Sequence, residues 1–251
     1  MIDIILSGAN GRMGQVLQTM ISQQSEMQIV AGIDRDVFEA DFPTYQTITA
    51  CQINADVVID FSHYSAVPAV LDYCADRKLP VVIATTGLTN DIQEQMKSVA
   101  TQTAVFFSAN MSLGINLLAK AIREITPVLE EEFNIEIVEK HHNQKKDAPS
   151  GTALLLADAV NDAVQTEKTY VYGRHGNDLE NPLSELGIHA VRGGTIPGEH
   201  TVIYAGPDEV IELNHLALSR NIFASGAVKA AKYISKKTIG LYDMEKLIDE
   251  S

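Results

Sequence analysis

The chain has 251 residues, 45% of them hydrophobic, and a formal net charge of −14. That hydrophobic content, with no low-complexity tract, excludes a disordered chain, and the length suits two small domains better than one. The acidity argues against nucleic acid and anionic membranes as partners, no run approaches the ~20 apolar residues of a membrane span, and two cysteines (Cys51 and Cys74) imply neither a disulfide framework nor a zinc site.

The opening run, residues 1–6, is apolar but too short for a signal peptide and lacks a basic lead-in, so a cytoplasmic enzyme is expected. Residues 2–6 read as a strand buried on both faces. After a glycine-rich turn, Met13, Val16, Leu17, Met20 and Ile21 recur at helical spacing. Residues 29–33, 55–61, 81–84 and 104–107 continue the strands, with helices predicted at 65–78 and 89–100. Short apolar strands alternating with helices specify an α/β fold with a Rossmann-like, doubly wound parallel sheet. Beyond residue 112 the pattern changes. A helix at 113–126 leads to an alternating strand at 133–139, and strand-like runs follow at 187–193, 200–206 and 209–215, separated by Gly and Pro turns. An α+β domain with an open mixed sheet is expected there. Residues 173–186 read as a long polar loop and 221–235 as a last helix. The expected organisation is a dinucleotide-binding domain over 1–112 and 220–251, with a second domain over 113–219.

The turn after the first strand is Gly8-Ala9-Asn10-Gly11-Arg12-Met13-Gly14. Small residues between a strand and a helix let a pyrophosphate approach backbone N–H groups at the helix N-terminus. The spacing is GxxGxxG, not the commoner GxGxxG. Asp34 ends the second strand, 20 residues after Gly14, where a carboxylate accepts hydrogen bonds from a ribose diol. Arg35 follows it and offers a guanidinium to a 2′-phosphate, so NADH and NADPH both stay open as cofactors. The alternative is a tight glycine turn serving some other ligand.

The second constellation spans Glu139-Lys140-His141-His142-Asn143-Gln144-Lys145-Lys146-Asp147-Ala148-Pro149-Ser150-Gly151-Thr152. Two histidines and three lysines crowd into seven residues of an acidic protein, on a loop between a strand and a helix. N–H groups at Gly151 and Thr152 head that helix and favour a carboxylate. An anion-binding pocket holding an acid/base candidate is the reading that follows. The competing readings are a partial metal site, for which ligands with suitable spacing are lacking, so no metal is expected, and a merely solvated basic loop.

These residues also resemble the signature of the 4-hydroxy-tetrahydrodipicolinate (dihydrodipicolinate) reductase family, most closely over 139–153. The resemblance extends in order through Gly8 to Gly14, Asp60-Phe61-Ser62, Thr85-Thr86-Gly87, Ser108-Ala109-Asn110-Met111-Ser112-Leu113-Gly114, Arg192-Gly193-Gly194, Gly198-Glu199-His200-Thr201 and Gly240-Leu241-Tyr242-Asp243-Met244. It implies reduction of the preceding synthase's product to tetrahydrodipicolinate with NADH or NADPH, on the route to diaminopimelate and lysine, with loss of water. It implies a small dicarboxylate substrate and a homotetramer assembled through the C-terminal domain. By position, His141 matches the family's proton donor/acceptor and Lys145 its proton-donating lysine, while His142, Gly151 and Thr152 match groups that hold substrate. Gly8, Ala9, Asn10, Gly11, Arg12, Met13, Asp34, Arg35, Ala84, Thr85, Thr86, Ser108, Ala109, Asn110 and Met111 match cofactor-contacting positions. Ala84 stands where many members have Gly, and Asn143-Gln144 replaces a more basic pair.

Overall fold

The computed structural model describes residues 1–36, 38–177 and 182–251. In chain order the elements are β1 (Ile2–Ser7), α1 (Arg12–Ser22), β2 (Met27–Ile33), β3 (Thr44–Tyr45), β4 (Val57–Asp60), α2 (Val67–Arg77), β5 (Val81–Ile83), α3 (Asn90–Val99), β6 (Ala104–Phe107), α4 (Leu113–Leu129), β7 (Asn134–His141), α5 (Gly151–Asn161), β8 (Thr169–Tyr172), β9 (Glu185–Arg192), β10 (Glu199–Ala205), β11 (Val210–Leu216), α6 (Asn221–Ile234), β12 (Gly240–Tyr242) and α7 (Met244–Asp249). They form two compact units, Met1–Ser112 with Asn221–Ser251, and Leu113–Arg220.

The first unit holds a seven-stranded parallel sheet in the order β12-β6-β5-β4-β1-β2-β3. Ile4, Ile5 and Leu6 are fully buried, because helices cover both faces of a parallel sheet and leave no polar side. From β1 the chain turns outward to β2 and then returns to β4 on the other side. The β1/β4 gap is therefore the topological switch point, where ligands of such folds bind beyond the strand C-termini. Local signals explain the helix starts: Thr89 caps α3 by accepting the Ile92 N–H, and Pro68 opens the first turn of α2.

The second unit holds a mixed sheet in the order β11-β10-β7-β9-β8. β10 is antiparallel to β7 and β11, while β7, β9 and β8 run parallel. Period-two alternation along β7 turns Ile135, Ile137, Glu139 and His141 to the buried face. Across the β7–β10 ladder Ile135 faces Tyr204, Ile137 faces Val202, and Glu139 faces His200. The apolar stripe, packed with α4 and α5, thus ends in one titratable pair, Glu139 and His200, with His141 beyond it on the same face of β7.

Several boundaries differ from the sequence reading. The helix expected over 65–78 opens as a 3-10 turn, Tyr64–Ala66, before α2 begins. The loop expected over 173–186 carries a 3-10 turn at Pro182–Ser184 and gives way to β9 at Glu185, while its residues 178–181 lie outside those described. β3, β8, β12 and α7 were not anticipated. All are short, and elements of two to six residues carry too few periods to read.

Candidate active site

In the first unit, the four segments proposed for cofactor contact follow the C-terminal ends of β1, β2, β5 and β6, which all point the same way. The glycine loop is packed too tightly for side chains. A Cβ on Gly14 would run into the carbonyls of Gly8 and Ala9, and one on Gly8 into the backbone of Phe61 after β4. Gly11, the N-cap of α1, has no side chain to cap it, and the first turn of the helix carries no acidic residue. An uncapped, close-packed helix N-terminus suits a phosphate.

The Asp34 carboxylate reaches this loop directly, with Oδ2 accepting the Asn10 N–H at 2.9 Å. Arg35 is almost fully exposed and pairs at 3.4 Å with Asp36. Beside them, Thr85 is buried and its hydroxyl donates to Asp60 Oδ2 at 2.5 Å and to the Ser62 carbonyl at 3.2 Å. Burial pushes the Asp60 carboxyl above its usual range against the hydroxyl donors around it. Because its side chain points inward, Thr85 offers a ligand backbone groups, whereas Thr86 is exposed and Ala84 is buried. Residues 108–111 form a self-pinned turn. Ser108 Oγ donates to the Asn110 carbonyl at 2.9 Å, and Asn110 Oδ1 accepts the Ser112 N–H at 2.8 Å. Gly226 on α6 lets the Met111 carbonyl pack against the helix backbone, where a Cβ would clash.

In the second unit the histidine loop leaves the end of β7, and its first residue is held from within. The fully buried Glu139 accepts four hydrogen bonds. Oε1 takes the Ser150 N–H at 2.9 Å and Arg192 Nη2 at 2.7 Å, and Oε2 takes His141 Nδ1 at 2.6 Å and Arg192 Nη1 at 2.7 Å. Burial drives the Glu139 carboxyl up, but Arg192, His141 and the Ser150 amide outweigh it and hold the group below its usual range. For His141 burial lowers the pKa, with help from Lys145 and Arg192 and against the pull of Glu139. Both shifts describe one state near neutral pH, a neutral imidazole donating Nδ1–H to a carboxylate. Nε2 then carries the lone pair. It faces Gly198, where a Cβ would lie 3.1 Å away.

His142 Nε2 lies 3.4 Å from Arg220 Nη2, and Lys145 Nζ pairs with Asp147 at 2.9 Å. That lysine holds the Asp147 carboxyl below its usual range. Ser150 caps α5 by accepting the Ala153 N–H at 3.1 Å and touches His200 Nε2 at 3.0 Å. Gly151 is exposed, with no atom within 4 Å of where a Cβ would stand, so the approach to the helix end is open. The structure therefore brings His141, His142, Lys145, Gly151 and Thr152 onto one loop and helix start. It adds Glu139, Arg192, His200 and Arg220, to which sequence reasoning gave no role. For Glu139 a signal existed, since a residue two before His141 on a strand shares its face. Arg220 lies far along the chain with no local pattern to mark it. Among the described residues no group of three or more His, Cys, Asp or Glu is arranged to hold a metal ion, and no helix is long and apolar enough to cross a membrane.

A doubly wound parallel sheet with an uncapped glycine loop at its switch point, joined in one chain to a histidine- and lysine-rich loop at a helix start, defines a two-domain oxidoreductase of the Rossmann type. Family models described as dihydrodipicolinate reductase, N-terminus and C-terminus, match residues 2–111 and 114–248. The chain belongs to the dihydrodipicolinate reductase family. It is 50% identical over 248 residues to the 4-hydroxy-tetrahydrodipicolinate reductase of Caldanaerobacter subterraneus subsp. tengcongensis, covering 99% of this chain and 98% of that one. To the protein of that name from Clostridium novyi it is 46% identical, with the same coverage. Among solved structures, a dipicolinate-bound dihydrodipicolinate reductase from Paenisporosarcina sp. TG-14 superposes with a TM-score of 0.85 at 24% identity, covering 98% of this chain and 99% of that one.

Proposed function

We propose that this chain reduces 4-hydroxy-tetrahydrodipicolinate to tetrahydrodipicolinate, with loss of water, using NADH or NADPH, on the route to diaminopimelate and lysine. The observation that carries this reading is the ordered His141 imidazole, its Nε2 lone pair unblocked by any side chain on Gly198, beside the cationic Lys145 and the start of α5. When bound, the nicotinamide supplies hydride, so the protein's share is placement and proton delivery. Gly8, Ala9, Asn10, Gly11, Arg12 and Met13 receive the pyrophosphate. Asp34 accepts from the ribose diol and Arg35 stands ready for a 2′-phosphate, so both cofactors are accommodated. Segments 84–86 and 108–111 hold the nicotinamide half with their backbones. His142, Gly151 and Thr152 bind the dicarboxylate, joined by Arg220. The solved dihydrodipicolinate reductase that carries dipicolinate, itself a small dicarboxylate, supports that substrate class. Local cations let a chain of net charge −14 attract an anion. His141 accepts or donates the proton at Nε2, and Lys145 donates from Nζ.

In this reading Met1–Ser112 with Asn221–Ser251 is the dinucleotide-binding domain and Leu113–Arg220 the substrate and assembly domain. Exposed Tyr172, Val191, Val210 and Leu216 on the second sheet supply apolar surface for a homotetramer of a cytoplasmic enzyme, to be weighed by light scattering. The deciding experiment couples the purified chain to the synthase with pyruvate and aspartate semialdehyde, following NADH and NADPH oxidation separately. Turnover with that product supports the assignment. Failure to consume either cofactor overturns it.

A further inference from the structure

We propose that Glu139 is the positioning residue of the substrate site, one buried carboxylate that sets both the tautomer of His141 and the start of helix α5. The inference rests on the proposed acid/base role of His141 and deepens it.

Stability alone does not explain a carboxylate at this place. The same face of β7 carries Ile135 and Ile137, both buried, and a third apolar residue would continue that stripe. Taking a carboxylate and a guanidinium out of water costs several kcal/mol per ion, on the order of what their attraction returns, and apolar replacement of such pairs is often neutral. What the carboxylate does provide is direction. Its two oxygens are divided so that Oε2 receives His141 Nδ1 and Oε1 receives the Ser150 N–H, while Arg192 bridges both. Arg192 Nη2 also donates to the Asp147 carbonyl at 2.7 Å, so the loop's far end is tied to the same group. The histidine ring and the α5 N-terminus, ten residues apart in the chain, therefore hang on one anion. Turning Nδ1–H inward leaves Nε2 as the proton-carrying atom, and the nearby carboxylate stabilises the imidazolium when it forms, the logic by which a third group orients a catalytic base.

Among the described residues, charged or titratable groups face this ring from four places. Glu139 lies on β7 itself, Arg192 on β9, Lys145 on the loop, and His200 on β10 with its ring centroid 5.1 Å away. Glu139 alone favours the charged imidazole, while Lys145 and Arg192 oppose it.

The test compares Glu139→Gln, His141→Gln and the unmodified protein. Glu139→Gln is expected to lower kcat by at least about 10²-fold, short of the roughly 10⁴-fold seen when the orienting carboxylate of a serine-protease triad becomes an amide. It is also expected to shift the activity limb set by His141 toward lower pH, because a neutral amide no longer stabilises the imidazolium. NADH affinity, measured by fluorescence titration, is expected to hold. A Glu139→Gln enzyme with wild-type kcat and an unmoved pH limb, beside an inactive His141→Gln enzyme, overturns the positioning role and leaves the acid/base role standing. Full turnover by His141→Gln overturns the underlying reading instead. Nitrogen NMR of the histidines in the unmodified protein decides independently of whether any variant folds. The His141 ring signal, assigned through its backbone connectivity in the unmodified protein, is expected to report the neutral Nδ1–H tautomer, and an Nε2–H tautomer there refutes the proposal.

Discussion

Arg192 closes on Glu139 as a bidentate clamp, Nη1 to Oε2 and Nη2 to Oε1, both at 2.7 Å, across strands β9 and β7. Such a pair contributes little net stability, yet breaking it leaves a buried charge without its counterion. Arg192→Met is therefore expected to destabilise the chain by about 3–5 kcal/mol, whereas Glu139→Gln/Arg192→Met costs less than the sum of the single changes. Urea denaturation of the four proteins measures this. Strict additivity would show that the clamp is not energetically coupled.

Acid is expected to weaken the fold through His200. Burial, reinforced by His141 and His215 and opposed by Glu139, brings its pKa down to about 4. In the unfolded chain a histidine titrates near 6.5. Between those values the unfolded state binds more protons, so stability is fully present above pH ~6.5 and falls as the pH drops toward 4. At about 1.4 kcal/mol per unit the loss reaches roughly 3 kcal/mol. Denaturation midpoints between about pH 7 and 4.5 should slope less in His200→Gln than in the parent, with His141 and His215, both also lowered, supplying the remainder. An identical slope in the two proteins would assign the acid sensitivity elsewhere.

Gly198→Ala places a methyl 3.1 Å from His141 Nε2 and 3.4 Å from its Cδ2. Crowding the proton-carrying atom is expected to reduce kcat by ten- to a hundredfold, on the order of what an ångström of misplacement costs, without changing NADH affinity. Steady-state kinetics beside a cofactor titration separates the two. Undiminished kcat would mean that Nε2 is not the working atom.

Lys145→Ala removes a charge that holds Asp147 below its usual range and that opposes protonation of His141. Turnover is expected to drop by about 10²–10⁴-fold, the range for a lost general acid, while NADPH still binds. The same substitution should let the Asp147 carboxyl rise toward its ordinary value, visible by carbon NMR. Retained turnover would remove Lys145 from the proton path.

Gly14→Ala tests the cofactor loop. Its Cβ meets the carbonyls of Gly8 and Ala9, so the loop must open. Dinucleotide Kd is expected to rise at least about tenfold, or 1.4 kcal/mol, together with an overpacking loss of about 1–3 kcal/mol in stability. Calorimetric titration and thermal unfolding read the two effects. Unchanged binding would place the pyrophosphate away from this turn.

Much of the fold was legible in the chain. Apolar runs alternating with helical spacing before residue 112, and period-two strands after it, encode sheet type locally, because each strand's burial pattern is written in its own side chains. The glycine loop and the histidine loop were legible for the same reason, being contiguous and having chemistry that depends on local spacing. Short edge elements such as β8 and β12 were not, since their existence depends on a neighbouring strand's open hydrogen-bonding edge.

By itself the sequence determined the two sheet types, the phosphate-ready turn and the family to which residues 139–153 point. Only the tertiary structure decided how His141 is held. Glu139 and His141 are two apart in the chain, but Arg192 joins them from 53 residues away, Ser150 from across the loop, and Gly198 from the start of the next strand. A buried charge is tolerated only where partners converge on it from several strands at once, and that convergence is a property of register and packing, which no local pattern records.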